Sequence, residues 1–231
     1  MWEMVRVSES GPLSAAQDLL SRDFESFGTI LADPPWRFAN RSGKMAPEHR
    51  RLSRYSTMSL QDITEMPVHK LALPQSHLYL WVPNALLAEG LAVMERWGFT
   101  YKTNLVWYKV RKDGGPDGRG VGFYFRNVTE LVLFGVRGSL RTRSAGRRRV
   151  NLLSTRKREH SRKPDEIYDV IESCSRGPYL ELFARHAREG WTQWGDEIEP
   201  QIMEAEVRQL HPGPAARAEA IEQPTVIPFS V

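Results

Sequence analysis

Gly28-Thr29-Ile30-Leu31-Ala32-Asp33-Pro34-Pro35-Trp36 is the stretch that decides the fold. Its first five residues form an apolar run of the length of a buried parallel strand. Two prolines cannot continue a sheet ladder, so the strand stops at or just after Asp33. A carboxylate, a rigid backbone and an indole therefore stand at the carboxyl end of a strand. In open α/β sheets this is where ligands bind. Pro34 and Pro35 hold φ near about −65°, so their carbonyls point in set directions.

These groups suit a clamp for an amino group. Asp33 and the Pro34 carbonyl offer acceptors for both hydrogens of an exocyclic amine. The lone pair of an adenine N6 is delocalised into its ring and attacks poorly. Two acceptors set out of the ring plane favour a pyramidal nitrogen, whose lone pair attacks a methyl donor, with Trp36 stacked on the base. The same four residues also suit a plain strand-ending turn with a structural tryptophan, and the rest of the chain has to decide.

Outward from this stretch, residues 1–27 read as an N-terminal extension with a short helix capped by Ser14. Residues 37–54 are polar and basic and read as a loop over the site. Ser59 and Asp62 make an N-terminal cap for another short helix. His77 to Val82 is a strand ended by Pro83, and Asn84 to Trp97 has helical spacing and ends at Gly98. Thr103–Val110 and Val128–Val136 are further strands. Between them, 112–122 has loop composition. Residues 137–162 read as a long polar, basic connection. Lys163-Pro164-Asp165-Glu166 starts a helix with Ile167, Val170 and Ile171 on its apolar side. Tyr179 to Phe183 is a strand containing Glu181, with Arg185 just beyond it. Trp191, Trp194 and Ile198 close a domain spanning 28–198, and 199–231 reads as a poorly ordered tail.

Alternating strands and helices imply an α/β fold with a doubly wound, mostly parallel sheet. A carboxylate at a strand end, as at Glu181, suits ribose hydroxyls; an ion pair with Arg185 is the structural alternative. No G-x-G-x-x-G and no Walker loop occurs, against nicotinamide and NTP readings. The 231 residues carry a net charge of +4, with basic residues crowded between Arg137 and Lys163. Such crowding fits a polyanion partner or a solvated loop. A single cysteine, Cys174, excludes an internal disulfide framework and a cysteine zinc cluster. No stretch is long enough to cross a membrane and none reads as a secretory signal, so a cytoplasmic setting without membrane contact is expected.

At this point the chain resembles the MT-A70 family of N6-adenine methyltransferases. The matching pieces are Asp33-Pro34-Pro35-Trp36, Tyr55 to Met58, Leu78 to Val82, Val106 to Lys109, Glu130 to Gly138, Lys163 to Tyr168, and Glu181 to Phe183 with Arg185. D-P-P-W together with K-P-D-E-I-Y and E-L-F is a highly specific combination. The resemblance implies a Rossmann-like class I fold dependent on S-adenosylmethionine, with the motif order permuted. It implies that Asp33, Pro34, Pro35 and Trp36 are the catalytic clamp and that Asp33 also meets the cofactor's ammonium. Lys163 then pairs with its carboxylate, and Glu181, Phe183 and Arg185 surround its ribose. Two positions depart from the eukaryotic catalytic members. Ala187-Arg188 stands where they have a histidine-asparagine pair, and Asp196-Glu197 where they have an asparagine-glutamine pair. Asp196 and Glu197 are still expected near the cofactor.

The compact form is similar to bacterial and phage members, which implies DNA as the partner. RNA, or a non-catalytic binding subunit of the same fold, is the alternative. Arg37, Tyr55, Lys109, Arg141, Arg143, Arg147, Arg148, Arg149, Arg156 and Lys157 are the expected nucleic-acid contacts. A single copy leaves little surface for duplex readout, so a homodimer is compatible with this size. No metal site is expected.

Overall fold

The apolar run before Asp33 forms β1 (Phe27–Ala32), buried at every position. Full burial requires a partner on both edges and a layer on both faces. β1 has parallel neighbours on both edges, β2 (Ala72–Val82) and β6 (Tyr179–Leu182). The computed structural model describes residues 14–37, 57–118, 124–156 and 162–195. Tyr55, Lys157, Asp196, Glu197, the 38–54 segment and the 199–231 tail lie outside the described residues.

The remaining strands are β3 (Thr100–Val110), β4 (Thr129–Arg137), β5 (Leu152–Arg156) and β7 (Trp191–Trp194). The sheet order is β5-β3-β4-β2-β1-β6-β7. β4 runs antiparallel to both its neighbours, and every other pairing is parallel. Six strands therefore end at one edge of the sheet, the carboxyl edge, and β4 ends at the opposite, amino edge.

Side chains alternate across the pleat, and each face receives its own helices. Ile30, Ala32, Leu78, Leu80 and Val82 pack with Leu19, Ile63, Val93, Met94 and Trp97. The latter come from α1 (Ala15–Ser21), α2 (Leu60–Glu65), α4 (Leu87–Arg96) and the residue after it; α3 is the single turn Val68–Leu71. Leu31, Tyr79, Trp81 and Trp107 pack on the other face with Ile167 and Ile171 of α5 (Glu166–Cys174). Helices on both faces make the sheet doubly wound, as expected. Ser14 and Ser59 each form a capping box, with Gln17 and Asp62. α4 stops at Gly98, whose φ of +84° suits a residue without a Cβ.

One element corrects the expectation. Residues 152–156, read as part of a connection, form edge strand β5, parallel to β3 with Leu152 opposite Val106. Exposed and half-buried residues alternate along it, and only two leucines mark it, which is too short a signal to separate from a loop. No helix among the described residues is long and apolar enough to cross a membrane.

Candidate active site

Backbone hydrogen bonds lock the chain after Asp33. Asp33 N–H reaches the Leu182 carbonyl at 3.4 Å, tying the ends of β1 and β6 together. Trp36 N–H donates to Pro34 O at 2.8 Å, and Met58 N–H donates to Pro35 O at 3.0 Å. The Pro34 carbonyl keeps a second lone pair for a ligand. Trp36 Nε1–H donates to the Trp81 carbonyl at 2.9 Å, and the residue is only 6% exposed. This corrects the stacking expectation: the ring belongs to the core, offers no open face to a base, and anchors the prolines instead. Arg37 is exposed, with its Nε on Thr57 Oγ1 at 3.2 Å.

Three charged groups, from β3, β4 and the segment before α5, form a row with Asp33. Lys163 Nζ lies 2.6 Å from Asp33 Oδ2 and 3.7 Å from Glu130 Oε2. Lys109 pairs with the other oxygen of Glu130. The row Lys109–Glu130–Lys163–Asp33 alternates in sign. Its floor is apolar: Lys163 Nζ sits 5.1 Å from the Trp81 ring and Lys109 Nζ 4.7 Å from Trp107. The two indoles meet edge-on at 5.8 Å. Burial alone pulls the Lys163 pKa down, but Asp33 and Glu130 outweigh it and hold the ammonium above the ordinary lysine range. Lys163 is thus shared between two protein carboxylates, with a third N–H donor left for another acceptor.

Lys109 faces inward onto Glu130, with 14% of its side chain exposed, and is not an outward phosphate contact. Glu130 was missed as a site residue. Its signal was available, because adjacent strands set it opposite Trp107, two residues from Lys109.

Glu181 stands at the end of β6. Tyr168 Oη donates to both its oxygens at 3.0 Å, and Gln193 Nε2 approaches at 3.3 Å. Burial holds its carboxyl above the ordinary range despite these donors, and the negative charge of Asp33 adds to the effect. Arg188 stacks on the Tyr168 ring at 4.1 Å and reaches Glu172 at 3.5 Å. Its Nε is buried with no partner, an orphan donor that an added acceptor would satisfy. Phe183, with φ of +63°, turns the chain sharply after β6, and its ring packs edge-on against Trp194 at 5.4 Å. Strain of this kind in a bulky residue costs about 1–3 kcal/mol and gathers at ligand sites. Arg185 follows, half-buried and near enough to Lys163 to oppose its charge.

These donors match S-adenosylmethionine in kind. Glu181 offers acceptors to a ribose diol and Asp33 to an ammonium. Lys163 and Arg185 are cations for a carboxylate, and the orphan Arg188 Nε marks an unfilled donor on the same wall.

The other expected contacts divide between the two edges. Arg156 ends β5 at the carboxyl edge, in register with Val110. Arg141, Arg143, Arg147, Arg148 and Arg149 lie on the connection that leaves β4 at the amino edge and climbs to the start of β5, where Leu152 is level with Val106 part-way along β3. Arg143 N–H holds the Cys174 carbonyl at 2.7 Å, at the end of α5. The structure brings Asp33, Lys163, Glu181, Phe183 and Arg185 together, whereas these five arginines belong to the β4–β5 connection, which starts at the far edge, where the Leu140 carbonyl meets His77 Nε2.

A family model described as MT-A70 matches residues 27–197. The type II methyltransferase M.MunI of Mycoplasma sp is 28% identical over 193 residues, covering 75% of this chain and 78% of that protein. The N6-methyladenosine RNA methyltransferase MTA1 of Cryphonectria parasitica is 29% identical, over 81% of this chain and 56% of its own length. The human N(6)-adenine-specific methyltransferase METTL4 is 30% identical, over 80% of this chain and 40% of its own. The chain thus spans most of the bacterial relative and about half or less of these eukaryotic ones.

Proposed function

Because the chain belongs to the MT-A70 family of N6-adenine methyltransferases, with their class I fold, we propose that it methylates the N6 amino group of adenine in DNA, using S-adenosylmethionine. The contact between Asp33 and Lys163 at 2.6 Å carries this reading. The Lys163 ammonium fixes the direction of the Asp33 carboxylate, whose oxygens accept hydrogen bonds as an amine clamp requires.

When bound, S-adenosylmethionine supplies a sulfonium methyl group. The protein's part is position and charge. The target adenine leaves the base stack, since its N6 is out of reach of in-line attack within a duplex. Asp33 takes one N6 hydrogen, and the free lone pair of the Pro34 carbonyl takes the other. The nitrogen lone pair then stands out of the ring plane, where it would attack the methyl of a bound S-adenosylmethionine as the C–S bond broke and the neutral thioether kept that electron pair. After transfer the cationic nitrogen sheds a proton, and Asp33, already hydrogen-bonded to it, is the first acceptor. Lys163 orients Asp33, and Glu130 keeps Lys163 in place. Glu181, held by Tyr168 and Gln193, takes the ribose hydroxyls, with Phe183 and Arg185 beside it.

DNA is favoured by the match to most of the length of a type II methyltransferase. RNA is the second reading, on the similar identity to an RNA methyltransferase. Cys174 is a buried free thiol, in keeping with a reducing, cytoplasmic compartment.

The test is transfer of labelled methyl to duplex DNA, single-stranded DNA and RNA, with the modified nucleoside identified by mass spectrometry. N6-methyladenine in DNA is expected, with a loss of at least about 100-fold in Asp33→Ala. Label in RNA alone would move the substrate to the second reading. No label in any polymer together with no cofactor binding by calorimetry would argue for a non-catalytic platform.

A further inference from the structure

Tyr124 and Phe125 are 94% and 85% exposed, the two most exposed large apolar side chains among the described residues. Among the described residues the tryptophans Trp36, Trp81, Trp97 and Trp107 are all at most 6% exposed. Two adjacent rings held in solvent forgo burial that the fold obtains elsewhere, and such patches mark interaction surfaces.

Their position is informative. They precede β4, whose first residues lie at the carboxyl edge, with Thr129 opposite Tyr108. Glu130 belongs to the charged row that holds Asp33. Phe125 is five residues before Glu130, so a fully extended chain keeps the two within about 17 Å. Cations surround the rings in sequence and register: Arg126 follows them, Lys112 is exposed on the same connection, and exposed Arg156 lies beside its start. Arg111 and Asp113 on that connection neutralise each other at 2.9 Å.

From this arrangement we infer that Tyr124 and Phe125 stack on bases flanking the target adenine, gripping the strand while that adenine is extruded toward Asp33. The inference rests on the nucleic-acid methyltransferase reading above and adds to it a stacking platform. Aromatic faces among cations are the general physical solution for gripping unpaired nucleic acid, because every base has a π face and every nucleotide a phosphate. A second copy of this chain is the poorer occupant. A symmetric contact through the patch would set Lys112, Arg126 and Arg156 against their own copies, a like-charge arrangement.

The experiment compares the full-length wild type with the double variant Tyr124→Ala/Phe125→Ala. The probe is a fluorescent oligonucleotide that the wild type methylates, with anisotropy read over a salt series. Calorimetry with S-adenosylmethionine checks that both proteins keep the site. Affinity for the oligonucleotide should fall roughly 5- to 100-fold with the salt slope unchanged, because rings and no charges are lost. The swap Tyr124→Phe/Phe125→Tyr should restore it to within about threefold. Unchanged affinity in the alanine variant, with methyl transfer intact in both proteins, would overturn the stacking role and leave the activity standing. A wild type that binds cofactor but neither binds nor methylates any polymer would remove the underlying reading, and this inference with it. Loss of a dimer in sedimentation, with affinity per protomer unchanged, would overturn it by assigning the rings to a second copy.

Discussion

Asp33 and Glu181 are two carboxylates at neighbouring strand ends with different surroundings. Asp33 has an ammonium at 2.6 Å. Glu181 has a tyrosine hydroxyl and an amide, which stabilise its charge less than burial destabilises it. Its folded pKa therefore lies above the 4.5 of a free glutamate. The native state holds this proton more tightly than the unfolded chain does. Any stability from Glu181 is thus fully present below pH about 4.5 and is lost as pH rises through the raised folded value. Cofactor binding runs the opposite way, because the ionised form is the stronger acceptor for a ribose hydroxyl and the Tyr168 hydroxyl together. Glu181→Gln should flatten the pH dependence of Tm through that window and raise Tm at neutral pH. It should also weaken S-adenosylmethionine about tenfold, read by calorimetry. A variant whose Tm keeps the wild-type pH profile would refute this account of Glu181. At this scale the places of Asp33 and Glu181 at strand ends and of Lys163 at a helix start were legible, because each sits beside a proline or inside a strand pattern, while the role of Lys163 came from the family resemblance alone. It misled for Trp36 and Lys109. An indole or an ammonium looks the same on paper whether it faces a ligand or a neighbouring carbonyl or carboxylate. Only the packing of β2 and β4 turns both inward.

The turn from β6 toward β7 is the element that most constrains the cofactor side. Phe183 takes its left-handed φ because Ala184 N–H must reach the Trp194 carbonyl, which it does at 3.0 Å. Gly195 lets the two chains close. A Cβ there would lie 2.3 Å from the Ala184 carbonyl oxygen and 2.7 Å from its nitrogen, and backbone cannot step aside as a side chain can. Gly195→Ala should cost about 1–3 kcal/mol in denaturant unfolding. It should weaken cofactor binding as well, since the displaced turn carries Phe183 and Arg185. Gly118→Ala, where nothing lies within 4 Å, is the matched control and should be neutral. Wild-type stability in Gly195→Ala would mean that the turn is not the rigid seat described. Strand and helix patterns around this turn were readable because burial imposes period two or 3.6 on long segments. β5 escaped because an edge strand buries one flank only, and five residues do not establish a period.

Across the whole molecule, positive charge is divided between two edges of one sheet. The sequence shows the arginines crowded together but not on which side, because the direction of β4 decides that. β4 is antiparallel, so its nine residues carry the chain from the active-site edge to the far one. At about 3.4 Å per residue the two edges lie roughly 27 Å apart. That is several Debye lengths at physiological salt, where screening acts over about 8 Å. Arg141, next to the Leu140 carbonyl that meets His77 at the far edge, therefore cannot steer an adenine at Asp33 through its field. It acts only on nucleic acid long enough to reach it. Duplex rises about 3.4 Å per base pair, so about eight pairs bridge the gap. The reversal Arg141→Glu should weaken binding of a duplex of about 30 base pairs by roughly threefold or more, with a shallower salt slope. Methyl transfer to a hairpin with a stem of about six base pairs should be unchanged. Equal losses on both substrates would mean that the loop acts at the active site after all. A loss on the long duplex alone would make the far edge a second grip on the polymer, separate from the chemistry at Asp33.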